Sequence, residues 1–326
     1  MASLAAADAA IDALPQAGPG FAPVPLVDLS APHDRVVTAI AEACEHWGMF
    51  RIAEHGFGQT VMERFLLEMR RFFNHPPAEK LALSRTLDNP WGYFDRELTK
   101  NIRDRKEIFD IGPLRGSGSD PFAGQTPWPP SDSDFSKCMT DWVERCEELS
   151  ARLVRLVFIG LGEAEAMAEH AFSPASTSFL RLNRFPAGQG GEGRGIHHHS
   201  DSGALTVLLV DDVPGLQVLH EGRWHDVIAE PGALLVNIGD MIEVWSNGLY
   251  RAPLHRVLAM EGRTRHSAPY FFNPSYSATV APLLSVTARS GGARFRPISW
   301  AEFRRRRAEG DFGNYGTEVQ ISDYAI

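Results

Sequence analysis

The sequence predicts a mainly β fold with flanking helices: a double-stranded β-helix (jelly-roll) core behind an N-terminal helical region. Three observations lead there. Residues 179–274 break into short apolar runs separated by turn residues at regular intervals, the punctuation of a jelly roll or barrel. Stretches 34–47, 61–73 and 135–161 instead repeat apolar residues every three or four positions, the period of a helix with one buried face. The 326-residue length with 44% hydrophobic content suits one large globular unit.

The elements follow in order. Residues 1–23 are rich in Ala, Pro and Gly and contain neither Lys nor Arg; they are expected to be a disordered leader rather than a secretory or transit peptide. Residues 24–172 are expected to form an N-terminal α/β region. There, strands at 24–29 and 48–52 alternate with helices over 34–47 and 61–73, the second strand stopped by His55-Gly56 and the second helix by Pro76-Pro77. Residues 89–110 mix aromatic and charged side chains without a clear period, and 116–134 read as a long surface loop. The helix over 135–161 carries Trp142, Cys146, Leu149, Leu153 and Leu156 on one face, a core stripe rather than a cofactor box. A short helix follows at 164–171.

Residues 173–290 are expected to be the jelly-roll core, and 291–326 a C-terminal helix and tail. Strands are expected at 179–186, 204–210, 216–219, 223–227 and 233–238. Val213-Pro214-Gly215, His220-Glu221-Gly222 and Asn247-Gly248 mark turns, and a Gly-rich loop spans 187–195.

Composition excludes some classes of function. Net charge is −9, from 32 basic against 41 acidic residues, and no basic stripe dominates, so nucleic acid is not expected as a partner. No apolar run is long enough to span a bilayer. Cys44, Cys138 and Cys146 follow no metal spacing and form no even set, which suits a reducing, cytoplasmic compartment.

The chemistry concentrates between 195 and 267. Residues two apart on a strand share a face, so His199 and Asp201 would present an imidazole and a carboxylate together. His255 comes far enough along for strands to leave and return. Two His and one carboxylate on one side of a metal, with other positions open, is the donor set of non-haem Fe(II) oxygenases. His197 and His198 are decoys, because His198 would point away from His199. Arg265 and Ser267 repeat the two-residue spacing, and a guanidinium beside a hydroxyl can grip a carboxylate inside a barrel; the alternative is a surface salt bridge. On the strand at 179–186, Phe179, Arg181, Asn183 and Phe185 share a face. A buried Asn needs a partner, and a bound dicarboxylate would supply one. Arg181 is placed either toward the substrate or outward in a salt bridge.

Five motifs in order and register resemble the isopenicillin-N-synthase-like family of Fe(II)/2-oxoglutarate-dependent oxygenases. They are His199-Ser200-Asp201, the run 211–218, Asn237-Ile238-Gly239-Asp240, His255-Arg256-Val257 and Arg265-His266-Ser267. Trp47-Gly48-Met49-Phe50 and His55-Gly56 resemble the family's N-terminal strand and turn. The resemblance implies Fe(II) held by His199, Asp201 and His255, with Arg265 and Ser267 on the distal carboxylate of 2-oxoglutarate and Asn183 nearby. It implies O₂ as co-substrate, release of succinate and CO₂, and hydroxylation, desaturation or ring closure of a medium-sized organic metabolite. Where the family has Asn-x-Tyr, this chain has Asn183-Arg184-Phe185, so one co-substrate donor is missing. Asp201 occupies the position that related halogenases leave to chloride, which argues against halogenation. The resemblance further implies that 89–110 covers the barrel mouth, making Tyr93, Phe94 and Phe109 candidates for the substrate pocket along with Arg181 and Phe271; packing against the core is the alternative for each aromatic. Two rivals stay open. One is a 2-oxoglutarate-independent Fe(II) oxidase of the isopenicillin N synthase type. The other is a non-enzymatic jelly-roll binding module.

Overall fold

The computed structural model describes residues 8–18, 23–86, 88–99, 102–114, 124–130, 132–172, 177–187, 194–228, 230–258, 261–313 and 319–326, without the side chains of 98–99, 102–103, 194 and 308–313. Residues 116–123 and 131 of the expected loop at 116–134, and 188–193 of the Gly-rich loop at 187–195, lie outside the described residues.

The strands in chain order are β1 (Leu26–Asp28), β2 (Met49–Ala53), β3 (Gly92–Phe94), β4 (Leu98–Thr99), β5 (Ile102–Arg103), β6 (Glu107–Ile111), β7 (Phe179–Phe185), β8 (Arg194–His199), β9 (Leu205–Val210), β10 (Leu216–His220), β11 (Arg223–Asp226), β12 (Leu234–Ile238), β13 (His255–Leu258) and β14 (Arg265–Phe272). Eight of them form the large sheet, ordered β1-β2-β12-β9-β14-β7-β6-β3, and four form a small sheet, β11-β10-β13-β8. The two sheets are the layers of the jelly roll. The expected α/β region supplies β1, β2, β3 and β6 to the large sheet, so it extends the core rather than standing apart from it. Residues 89–110, irregular in sequence, pair as β3 and β6, with Tyr93 opposite Phe109.

Helices cover the outer face of the large sheet. They are α1 (His33–His46), α2 (Gln59–Phe73), α3 (Pro77–Leu81) and α4 (Ser133–Gly160). The 28-residue α4 starts where Asp132 caps it, its carboxylate accepting from the Phe135 N–H at 3.1 Å. The stripe expected along this helix is buried from Trp142 to Leu156, and Trp142 stacks on Phe65 of α2 with ring centroids 4.2 Å apart. After α5 (Glu165–Phe172) the chain enters the core strands.

No local period marks the next helix, α6 (Asp240–Trp245). It begins at Gly239, which has no room for a side chain: a Cβ there would sit 2.3 Å from the Gly203 carbonyl oxygen and 2.8 Å from that of Asp201. The Asp240 N–H donates to the Asp201 carbonyl at 2.8 Å. The Asn-x-Gly-Asp motif therefore presses its backbone against the 201–204 turn and fixes the site from below. α7 (Leu284–Ser290) and α8 (Trp300–Gly313) close the chain, the latter longer than the 300–307 stretch that reads as helical in sequence.

The leader expected to be disordered over 1–23 is ordered where it is described. Residues 8–12 form a helical turn, and the chain then runs along the outer face of the small sheet. The Trp224 backbone N–H donates to the Pro15 carbonyl at 2.9 Å, and the Ala17 N–H returns a bond to the Trp224 carbonyl at 2.8 Å. A mostly apolar leader with only Asp8 and Asp12 charged can dock wherever a sheet leaves backbone groups and an indole uncovered, and its composition carries no sign of that.

Candidate active site

β8 ends at His199, so Asp201 lies two residues past the end of the strand rather than on it. The expectation of two side chains on one strand face is corrected in its reason, not in its result. The turn brings Asp201 under β13, where His255 stands directly opposite His199 in the ladder. The two imidazole centroids are 4.4 Å apart. Each ring places Nδ1 against a carbonyl: His199 against that of His197 at 2.8 Å, His255 against that of Pro253 at 3.1 Å. A ring that donates through Nδ1 leaves the Nε2 lone pair free as a ligand. Those Nε2 atoms lie 3.7 and 3.5 Å from the same atom, Asp201 Oδ1. Such distances are long for hydrogen bonds but suit one ion about 2.0–2.2 Å from each donor. The other carboxylate oxygen, Oδ2, is occupied: it accepts from Thr206 Oγ1 at 2.5 Å and Asn237 Nδ2 at 2.8 Å. Asp201 therefore offers one oxygen to the centre. Among the described residues, His199, Asp201 and His255 are the group of three whose ligand atoms converge in this way.

The electrostatics agree. Burial holds His199 well below the ordinary imidazole range, and His255 beside it pushes the same way against the pull of Asp201. Burial would raise the Asp201 carboxyl, but the two imidazoles and the bonds from Asn237 and Thr206 outweigh it and hold it low. A neutral imidazole and an ionised carboxylate are the forms that bind a metal.

β14 runs away from this cluster with Arg265, Ser267, Pro269 and Phe271 on its inner face, all lining one cavity with the three ligands. Arg265 is 2% exposed, and its Nε and Nη1 have no hydrogen-bond partner. Burial lowers its pKa to about 10, partly offset by Asp211, so it stays cationic at neutral pH. Asn183 on β7 reaches the Ser267 hydroxyl at 3.4 Å while its Oδ1 is unpartnered. A buried cation with unpaired donors costs several kcal/mol unless an anion meets it. Arg265, Ser267 and Asn183 thus leave donors that could hold a carboxylate. Phe185, standing where the family carries Tyr, puts its ring 5.4 Å below the Arg265 guanidinium; it gives a cation–π face and no hydroxyl.

The cavity is closed at the mouth by charged residues. Arg181 lines it and also makes a bidentate pair with Asp110 at 2.7 and 2.8 Å, with Glu97 at 2.9 Å. Lys106 lines it too, paired with Glu97 at 2.7 Å and Asp104 at 3.1 Å. Lys106 and the Asp201 clamps Thr206 and Asn237 were not picked out as site residues from sequence. Lys106 gives no local signal, because a lysine in a charged loop normally faces water. Of the pocket candidates, Arg181 and Phe271 reach the cavity, and Tyr93, Phe94 and Phe109 do not line it. Tyr93 donates its hydroxyl to Glu107 at 2.8 Å, the Arg85 guanidinium covers the Phe94 ring at 3.4 Å, and Phe109 packs in the helix-covered core against Phe72. Tyr93 and Phe109, opposite each other across β3 and β6, share the outer face, whereas Phe94, next along β3, points to the other face and is covered there by Arg85.

Residues 176–274 match the family model of the 2OG-Fe(II) oxygenase superfamily, and 24–131 match that of the non-haem dioxygenase in morphine synthesis N-terminal region. The chain belongs to the 2OG-Fe(II) oxygenase superfamily. This oxygenase is 30% identical to flavonol synthase/flavanone 3-hydroxylase of Matthiola incana over 86% of its own length and 96% of that protein's. It is 31% identical to jasmonate-induced oxygenase 4 of Arabidopsis thaliana, over 81% of its length and 76% of that protein's. The crystal structure of JOX2 in complex with 2OG, Fe and JA superposes with a TM-score of 0.77 at 27% identity, covering 87% of this oxygenase and 84% of that chain. It is therefore an Fe(II)- and 2-oxoglutarate-dependent dioxygenase with a jelly-roll core, as its motifs led one to expect. No helix among the described residues is long and apolar enough to cross a membrane.

Proposed function

We propose that His199, Asp201 and His255 hold Fe(II), that Arg265, Ser267 and Asn183 hold 2-oxoglutarate, and that the oxygenase hydroxylates, desaturates or cyclises a medium-sized, partly apolar organic metabolite. One observation carries the co-substrate reading: the Arg265 guanidinium is buried with two unpartnered nitrogens in the same cavity as the three converging ligand atoms. An anion is needed there, and a dicarboxylate long enough to reach the metal supplies it. The iron, when bound with 2-oxoglutarate and O₂, supplies the oxidation, with succinate and CO₂ as by-products. The chain supplies position and dryness. Thr206 and Asn237 keep Asp201 Oδ2 engaged, so its Oδ1 faces the metal. Leu208, Leu216, Val257 and Ile196 line the walls and exclude water.

The cavity is about 80 Å³, well below the roughly 300–1,000 Å³ of a site that buries an organic ligand. It suits the co-substrate alone, so the substrate enters from the mouth, against Phe271, Lys106 and Arg181. Three cations there, Arg85, Lys106 and Arg181, face three acids, Glu97, Asp104 and Asp110. A balanced rim favours a substrate whose reacting part is uncharged, because a charged one would have to break these pairs. The names of the flavonol synthase and jasmonate-induced oxygenase relatives support a small organic substrate. The free thiols of Cys44 and Cys146, buried in the core, support a reducing, cytoplasmic setting.

The test is a metabolite screen for substrate-stimulated succinate formation with O₂ uptake measured in parallel. One succinate per O₂ is expected. Product without succinate would refute the co-substrate reading, and activity confined to small charged amino acids would refute the substrate reading.

A further inference from the structure

The outer face of the small sheet carries a connection that the chemistry above does not use. Side chains alternate along a strand, so His198 points outward on β8 where His199 points to the metal, and Arg256 points outward on β13 next to His255. His198 meets two carboxylates of the N-terminal segment, Asp8 at 3.2 Å through Nε2 and Asp12 through Nδ1, and Asp12 is the one it shares with Arg256. Asp12 Oδ1 lies 2.8 Å from His198 Nδ1 and 3.6 Å from Arg256 Nη1, and the Asp12 carbonyl accepts from Arg256 Nη1 at 3.3 Å. The segment is held there independently. Trp224 donates its indole N–H to the Ile11 carbonyl at 3.1 Å, Gln217 donates to Gln16 at 2.7 Å, and the Arg256 guanidinium lies 4.0 Å above the Trp224 ring. His198 is 1% exposed as a result.

The ladder explains why such a tie matters. Among the described residues, β8 is an edge strand of the small sheet, paired with β13 alone. The register of that pair slips twice, between His255 and Val257 and again between Val257 and Leu258. An irregular edge ladder fixes its residues less firmly than a regular one, yet the two imidazoles must meet one ion from its two sides.

We propose that Asp12 is a positioning residue for the iron centre: it clasps β8 to β13 from behind through His198 and Arg256, and so fixes where His199 and His255 present Nε2. The proposal rests on the reading of these residues as the iron site. Asp12 touches neither metal nor substrate; it acts as an outer support of the ligands, a role whose loss typically costs about 10- to 100-fold in metal affinity.

The experiment uses the full chain and anaerobic titration with Mn(II), followed by electron paramagnetic resonance, alongside thermal melting without metal. Asp12→Ala is expected to weaken Mn(II) binding about tenfold. Asp12→Asn, which keeps an acceptor oxygen for His198, is expected to recover most of that loss. His198→Phe is expected to lose as much as Asp12→Ala, and the double variant no more than either single one, because one link is being cut twice. Unchanged Mn(II) affinity in Asp12→Ala, even with a lowered melting point, overturns the proposal, since the segment would then serve the fold alone. Additive losses in the double variant overturn it as well. Failure of the unsubstituted protein to bind Mn(II) would instead refute the iron-site reading itself.

Discussion

Arg265 shows how one side chain can be costly in the empty protein and useful in the loaded one. Its guanidinium is buried, cationic and short of acceptors. Replacing it with Met removes unmet donors worth about 1–3 kcal/mol. Arg265→Met is therefore expected to melt higher than the unsubstituted protein when no 2-oxoglutarate is present. With Mn(II) present throughout, the same variant should show no further upward shift when 2-oxoglutarate is added, where the unsubstituted protein should gain about 2.7 kcal/mol at a hundredfold excess over Kd. Differential scanning calorimetry with and without co-substrate checks both signs. Asp201→Ala tests the other end of the cavity. It deletes one of the three converging donor atoms and leaves Thr206 and Asn237 without their acceptor. Mn(II) binding should fall by more than a hundredfold in the same titration, with substrate-dependent succinate formation abolished.

At the scale of elements, the mouth is held by ion pairs linking the residues ahead of β6 to β7. Glu97 is their hub, with Arg181, Lys106 and Arg85 around it. Burial would raise its carboxyl, but the three cations overcome that and hold it at about 2, against 4.5 when unperturbed. The sign follows from the depressed value: the unfolded chain binds the proton first, so the stability Glu97 contributes is complete above about 4.5 and drains away as pH falls toward 2. Glu97→Gln should flatten the pH dependence of stability in that window, measured by urea unfolding at a series of pH values. An unchanged slope would mean that the cluster does not hold the mouth. Turn chemistry at this scale was readable in part: Asn247 and Gly248 take the positive φ values of 54° and 78° that a turn at Asn-Gly suggests.

Across the whole molecule, the helical layer and the site are separate stores of stability. Trp142 on α4 is buried against Phe65 and Phe57, far along the chain from every cavity residue. Trp142→Ala should cost about 3–5 kcal/mol as the void left behind fails to close. Loaded and empty protein should lose the same amount, leaving the co-substrate-dependent shift in melting temperature intact. A smaller shift in the variant would instead tie the helical layer to the site.

The sequence by itself determined the alphabet of the site. His199, Asp201, His255, Arg265 and Ser267 stand in motifs whose spacing encodes strand faces, and Asn183 falls on the face that period two assigns it. The core stripe of α4 was equally legible, because a helix writes its buried face into every three or four residues. What only the tertiary structure decided lacks a local period. Asp201 sits beyond its strand and is aimed by Gly239 and by two clamps from β9 and β12. Tyr93 and Phe109 turn outward because β3 and β6 join the large sheet in a register that no short stretch of sequence specifies. Lys106, just ahead of β6, enters the cavity because Glu97 and Asp104 pair with it there, and residues 8–17 dock because a distant indole waits for them. Local sequence fixes which way neighbouring side chains alternate; contacts across tens or hundreds of residues decide what each then meets, because their free energy depends on surfaces that exist only once the sheets have formed.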